Sequence, residues 1–354
     1  MEDRFVKVLD GSFPNLKTRE NYKSRLNTLV KHMNTKSLLE ILEAPDTFYP
    51  RIREQYTSIT TRKNVLTAML VLFREDAELK KGDKNEETRA KWKRLFDDLA
   101  RHQEAKVKRS EPEDKQIEKY TSYEEIEAKY EEMKRVGGHT TLKESQHFVL
   151  MSILVHLRPK RADLGTVYIF KDNDPNRTDI NYIVIRKRGA SFLAMNLYKT
   201  SKHYRKVEED LPEGLVRDIV HSLKRWPRAF LFTKEDGDPM SNNTYSKYVS
   251  NTFEELFGRA TGVSLLRHIY ISEKLDFDDM TMEEQDEEAR LMLHTSGLQR
   301  RYKWPKKTIC PKLCSDYMNK TAVAGKAKTG KQTRKSPRQP PPRRKTRRSH
   351  QEEA

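Results

Sequence analysis

Hydrophobic positions recur at helical spacing through the first third of the chain. In TRENYKSRLNTLVKHM the residues Tyr22, Leu26, Leu29, Val30 and Met33 fall on one face, the pattern of an amphipathic helix. Thr18 is followed three residues on by Asn21 rather than Glu or Gln, which makes half a capping box. ITTRKNVLTAMLVLF predicts a second, more apolar helix, and ETRAKWKRLFDDLARHQEAKV a third, more charged one. Periodicity lapses in KRSEPEDKQIEKY, so a helical N-terminal domain over 1–106 and a linker over 107–119 are expected.

Beyond the linker the pattern changes. SYEEIEAKYEEMKRV predicts an amphipathic helix ended by Gly137 and Gly138. LKESQHFVLMSILVHL is apolar nearly all round, as the central helix of a larger domain would be, and Pro159 stops it. TVYIF, NYIVI and FLAMNLY read as short strands, with a weaker one near Tyr204 to Glu208. Helices resume in GLVRDIVHSLKRW, NTYSKYVSNTFEELFG and around LLRHIYISEKL, and the last ordered piece is expected to run from about Glu284 to Met318. The fold class is therefore mainly α with a small antiparallel β-sheet (α+β), with a second domain over 120–318 and no internal repeat.

Composition adds a direction. The 354 residues carry a formal charge of +17, of which 319–354 supplies +10 through twelve Lys or Arg against two Glu, leaving +7 on the rest. That tail holds too little apolar surface to fold; a solvated tail, a duplex-binding arm and a nuclear import signal all fit it. The basic body points to an anionic partner such as nucleic acid. No apolar run reaches about 18 residues, so no membrane span is expected. MEDRFVKVLDG lacks the apolar core of a secretory signal, and two cysteines cannot build a disulfide framework, so an intracellular protein is expected.

Four segments of the second domain set a cation or nucleophile among apolar neighbours. In HLRPKRADLGTV, Arg161 stands where helix gives way to strand, with Asp163 as an obvious structural partner and Arg158 as a rival. In NLYKTSKHYRKVEEDLP, Lys199 and Lys202 lie at a turn between strands; in LLRHIYIS, Arg267 interrupts an apolar face; in MLHTSGLQRRYKW, His294 precedes Tyr302 by eight residues. Each alone has an ordinary structural explanation. Together, two guanidinium groups can bind the nonbridging oxygens of a phosphodiester, a lysine can protonate a leaving 5′-oxygen, a histidine can donate to the phosphorane, and a tyrosine can attack phosphorus. A cationic clamp of this kind needs no metal. No convincing metal-ligand spacing is present; Cys310 and Cys314 in CPKLC lack two further ligands.

In KRADLG, YKTSK, SLLRHIYIS and MLHTSGLQRRY the chain resembles the tyrosine recombinases, the integrase superfamily of phages, mobile elements and large DNA viruses. The resemblance spans about residues 18–318. It implies Arg161, Lys199 (or Lys202), Ser264, Arg267, His294 and Tyr302 as catalytic residues, with Asp163 and His268 in support. It further implies a helical core-binding domain and a catalytic domain clamped on double-stranded DNA, no cofactor, no small-molecule substrate, and a homotetramer on two DNA sites, monomeric or dimeric off DNA. Integration of a viral or mobile genome is the role implied, in the host nucleus if the tail is an import signal and otherwise in the host cytoplasm. Ser264 stands where the family's second box usually has His; a hydroxyl is a poor proton acceptor, so slower chemistry is expected. Tyr270 and Tyr317 are weaker nucleophile candidates. A type IB topoisomerase and a noncatalytic DNA-binding protein of the same fold are the competing readings.

Overall fold

The computed structural model describes residues 3–109, 112–137, 139–277 and 279–304. Residues 305–318 of the expected second domain, with Cys310, Cys314 and Tyr317, lie outside it, as do Gly138 and the basic tail.

The N-terminal part is six helices: α1 (Asp3–Ser12), α2 (Leu16–His32), α3 (Leu38–Glu43), α4 (Pro45–Gln55), α5 (Ile59–Glu75) and α6 (Asp83–Arg109). They enclose a core of their own, with Leu26, Leu29, Leu66, Met69 and Trp92 fully buried. The stripe Leu26–Leu29–Met33 is inside, as its spacing predicts. The start of α2 differs from expectation. Asn15, not Thr18, is the cap, its side chain accepting from the Thr18 N–H at 3.0 Å, because an Asn three residues earlier satisfies the same orphan donors.

The expected linker is not featureless. α6 runs on to Arg109, and a single turn, α7 (Asp114–Glu118), is closed by a capping box between Glu113 and Gln116.

The second core is built on α9 (Leu142–His156), which is buried at every position from Ser145 to Leu154. Its polar side chains are matched: Ser145 pairs with Ser222 at 2.7 Å, Ser152 donates to Asp218 at 2.6 Å, and Gln146 both donates to and accepts from the Thr233 backbone. Such matching keeps a buried polar group from costing stability. α8 (Tyr123–Val136) packs along α9 and ends at Gly137, whose φ is +60°.

The sheet has order β1 (Tyr168–Lys171), β2 (Tyr182–Ile185), β3 (Phe192–Met195) and β4 (Val207–Asp210). It is mixed, which corrects the expected antiparallel sheet: β1 and β2 pair in parallel, with Tyr168 opposite Tyr182 and Lys171 opposite Ile185. An apolar run specifies a buried strand but not its direction. Direction comes from the ten-residue return loop, pinned where the Asp172 N–H donates to Ile185 O (2.9 Å) and the Lys187 N–H to the Asp172 carboxylate (2.8 Å). The weak strand near Tyr204 also shifts. α10 (Ser201–Tyr204) occupies the turn, Arg205 at φ +55° reverses the chain, and β4 begins at Val207. Helices α11 (Glu213–Arg225), α12 (Asn242–Phe257), α13 (Val263–Glu273), α14 (Met282–Leu291) and α15 (Ser296–Tyr302) follow. The fold is thus α+β and mainly helical.

Candidate active site

After α9 the chain extends through Arg158 and Pro159 and tightens into a 3-10 turn, Ala162–Thr166, lying against α12. Gly165 permits that approach, since a Cβ there would sit 2.5 Å from the Met240 carbonyl oxygen and 2.7 Å from the Tyr245 Cβ. The turn sets Arg161 at its N-cap. Asp163 is buried, accepts from Asn242 at 3.1 Å, and has its carboxyl pKa pushed up by that burial.

The three cations of this segment meet different fates. Arg158 grips both oxygens of Glu288 through Nε and Nη2 (2.8 and 2.5 Å) and reaches Glu209 through Nη1 at 3.1 Å; the hydrogen bond to Glu288 holds its pKa above the usual arginine value. Lys160 is buried against Glu209 and the Leu291 carbonyl. Arg161 forms no ion pair among the described residues and its Nε has no protein partner. Of the two candidate arginines, Arg161 is the one left free to bind an external anion.

Arg267 sits one turn into α13 and is only 2% exposed. Its guanidinium contacts His294 Nδ1 through Nη2, reaches the Tyr302 hydroxyl through Nη1 at 3.3 Å, and lies 4.7 Å from the Tyr302 ring centre. Burial lowers its pKa to about 10, and the Arg161 charge adds to that effect. The guanidinium still carries its charge at neutral pH.

His294 is brought in by the end of α14. The Leu293 N–H bonds to Arg290 O and the His294 N–H to Ala289 O, both at 3.0 Å, the paired bonds of a Schellman motif. Leu293 takes φ +59° where glycine is usual, at a cost of roughly 1 kcal/mol. Its complete burial in the core offsets this. His294 is fully buried, and burial together with the charges of Arg267 and Arg161 lowers its pKa to about 3, so it is neutral. Its ring lies at 16° to that of Tyr302, centres 5.5 Å apart.

Tyr302 ends α15 and is held through its backbone. His268 Nδ1 bonds its carbonyl at 2.8 Å, the His268 ring stacks on Trp304 at 4.5 Å, and Ser272 Oγ accepts from the Trp304 N–H at 2.9 Å. Burial drops the His268 pKa to about 4, keeping the imidazole neutral.

Other candidates stand further out. Ser264 is exposed in the first turn of α13, three residues before Arg267. Lys199 and Lys202 are both exposed and without an ion pair among the described residues, and their turn is tied to the His294 segment where Thr200 donates to Leu293 O at 3.0 Å. Tyr270 packs on Tyr123, 5.8 Å between ring centres, and burial raises its pKa to about 12.

Sequence reasoning missed Asn242, Ser272 and Gln299. The spacing of His268 and Ser272, four apart on α13, could have revealed a shared face. Gln299 carries no local signal, yet it is fully buried and neither of its amide heteroatoms has a protein partner. Among the described residues, no group of three or more His, Cys, Asp or Glu is arranged to hold a metal, and no helix is long and apolar enough to cross a membrane.

No family model matches the chain, and no curated protein matches it. Among solved structures it is similar to one titled "Crystal structure of XerA recombinase", at 13% identity, covering 89% of this chain and 97% of that chain, with a TM-score of 0.37. A likeness of that size has no bearing on function.

Proposed function

We propose that this chain is a DNA strand transferase of the tyrosine recombinase type, with Arg161, Arg267, His294 and Tyr302 acting on one backbone phosphate. One observation carries the reading. Ten buried side-chain polar atoms among the described residues lack a protein partner, and six of them belong to Arg161, Asp163, Arg267, His294 and Gln299. Four of these six are N–H donors or can be so, as expected where an acceptor-rich tetrahedral anion is to be bound.

In the proposed reaction the Tyr302 oxygen attacks phosphorus and releases its proton to solvent, while Arg267 stabilises the charge that develops on it. The P–O bond to the 5′-oxygen breaks, and Lys199, or Lys202 in its place, protonates that oxygen as it leaves. Arg161 and Arg267 hold the nonbridging oxygens, and His294 steadies the pentacovalent species. A 5′-hydroxyl then attacks the 3′-phosphotyrosine, restoring a phosphodiester and the free phenol. Asp163 orients the arginines, and His268 holds the Tyr302 backbone. Two such rounds within a homotetramer on two DNA sites would exchange strands, and integration of a mobile or viral genome is the role we assign.

The test is a nicked duplex that loses its 5′-hydroxyl fragment on cleavage and so traps the covalent adduct. Adduct with the native chain and none with Tyr302→Phe supports the proposal. Adduct surviving Tyr302→Phe moves the nucleophile elsewhere, and DNA binding with no adduct leaves a binding protein. Relaxation of a single plasmid without exchange between two sites would indicate a topoisomerase instead.

A further inference from the structure

We infer that Leu197 is a wedge: on DNA it enters a base step beside the scissile phosphate from the minor groove, favouring a pyrimidine–purine step. The inference rests on the strand-transfer reading, which brings the lysine turn against the DNA backbone.

An apolar side chain is left in water at a place that is otherwise fastened down. Among the described residues, four large apolar side chains are exposed: Leu16, Val136, Leu197 and Met282. Leu16, Val136 and Met282 are the first or last residues of α2, α8 and α14. Leu197 instead stands in the turn between β3 and α10, 52% exposed and outside the core of the second domain. A single exposed leucine is ordinary, but the backbone beneath this one is not. The buried Asn181 side chain accepts from the Asn196 N–H (2.8 Å) and the Leu197 N–H (2.7 Å) and donates to the Leu197 carbonyl (2.9 Å). Asn196 donates in turn to the carbonyls of Arg177 (3.0 Å) and Ile180 (2.7 Å), and the Tyr198 hydroxyl to that of Arg205 (2.8 Å). One buried carboxamide thus satisfies both backbone groups of Leu197, which makes a rigid mount for a side chain pointed at solvent.

Burial alternates along the turn, with Asn196 and Tyr198 inside and Leu197 and Lys199 outside. Two residues of chain span at most about 7 Å, so the leucine stands that close to the lysine assigned to the leaving 5′-oxygen. Thr200 then ties the turn to Leu293, the neighbour of His294. Lys199, Lys202, His203 and Arg205 are all exposed around it. Those side chains can hold phosphates, and a leucine cannot. What a leucine can do is fill an opened step: apolar side chains entering from the minor groove unstack and kink a duplex, and pyrimidine–purine steps open most readily. A wedge of this kind works best on a stiff mount, because ordering a loose turn would consume binding energy.

The probe is a duplex with 2-aminopurine in a thymine–purine step, whose fluorescence rises when that base unstacks. It is used both in random-sequence flanks, which need no knowledge of the target, and beside the scissile phosphate of the nicked substrate. The full native chain and Leu197→Met are expected to raise the fluorescence and Leu197→Ala to leave it low, with the melting temperature unchanged because the side chain is exposed. Leu197→Ala should form adduct about ten- to sixtyfold more slowly, as the loss of up to three buried carbons implies. A mismatch at the same step, which is already unstacked, should return it to near the native rate. Equal fluorescence with Leu197→Ala, or a slow rate that the mismatch does not rescue, would overturn the inference. So would a Leu197→Ala defect confined to assembly of subunits on DNA, which would make the leucine a protein contact. Leu197-dependent fluorescence in a chain that never forms a Tyr302-dependent adduct would support the wedge while removing the strand-transfer reading, so the two fail separately.

Discussion

Arg267→Met should make the protein inactive without making it less stable. Holding the Arg267 pKa at about 10 instead of 12.5 corresponds to roughly 3 kcal/mol of disfavour for the charged form in the folded state. Methionine has a similar length and removes that cost. Against it stands the loss of the contacts to His294 and Tyr302, which leaves a buried imidazole acceptor unpaired at about 1–3 kcal/mol. The two nearly cancel, so urea unfolding at pH 7 should give Arg267→Met a stability between about 0 and 2 kcal/mol above the native value. In the same preparation adduct formation on nicked DNA should fall by roughly a hundredfold to ten-thousandfold, because two charge-assisted hydrogen bonds at about 1.5–3 kcal/mol each are lost from the transition state. A variant destabilised by more than about 3 kcal/mol would refute the reasoning, since the guanidinium would then be part of the fold's own framework.

The other expectations concern protons and leaving groups. His294 and His268 have folded pKa values of about 3 and about 4, below the ordinary 6.5, so the unfolded chain takes up their protons first and stability is lost as pH falls below 6.5; by pH 5 His294 alone should account for about 2 kcal/mol. His294→Asn should therefore flatten the decline in urea midpoint between pH 7 and pH 5, and an equal decline in both proteins would show that His294 is not the group responsible. Lys199→Ala should cleave an ordinary phosphodiester at least about a hundredfold more slowly yet recover on a substrate whose leaving 5′-oxygen is replaced by sulfur, which departs without a proton. Recovery of Lys202→Ala instead would exchange the roles of the two lysines. Ser264→His should raise the single-turnover cleavage rate about tenfold or more by supplying a base near Tyr302, and a slower variant would mean that the exposed first turn of α13 does not face the phenol in the complex.

What the sequence makes legible is what is local. Leu26, Leu29 and Met33, or the run from Phe148 to Leu154, declare a helix and its buried face because the period is written within a few turns. The direction of β1 against β2 is not local: parallel and antiparallel strands share one alternation, and the return loop decides between them. The choice between Arg158 and Arg161 is likewise hidden, because the carboxylates that occupy Arg158 lie 51 and 130 residues further along the chain. Arg267, His294 and Tyr302 attract notice only as residue types in a familiar order, and their mutual contact is a property of the folded chain. Gln299 and the left-handed Leu293 could not be anticipated, since nothing in MLHTSGLQRRY separates a buried carboxamide from an exposed one or marks a leucine for a conformation that glycine usually takes.

The protein contains its own standard for how it buries a cation when structure alone is at stake. Lys160 is enclosed with Glu209 and the Leu291 carbonyl, and Arg158 has Glu288 across its fork with Glu209 beside it; each positive charge has an acceptor fitted to it, as the cost of desolvation requires. One turn of chain away, Arg161 has no carboxylate, and Arg267 is more deeply buried than Arg158 yet contacts only an imidazole and a phenol. Asp163, whose charge both arginines feel, is held by Asn242 and keeps an unpaired oxygen. A fold able to neutralise Arg158 and Lys160 so fully has left these two cations uncompensated, and the deficit has the sign and the donor geometry of a missing anion with several acceptor oxygens. A phosphodiester meets that description, and in the proposed reaction the phenol of Tyr302, already within reach of Arg267, would be the nucleophile that the same charges activate.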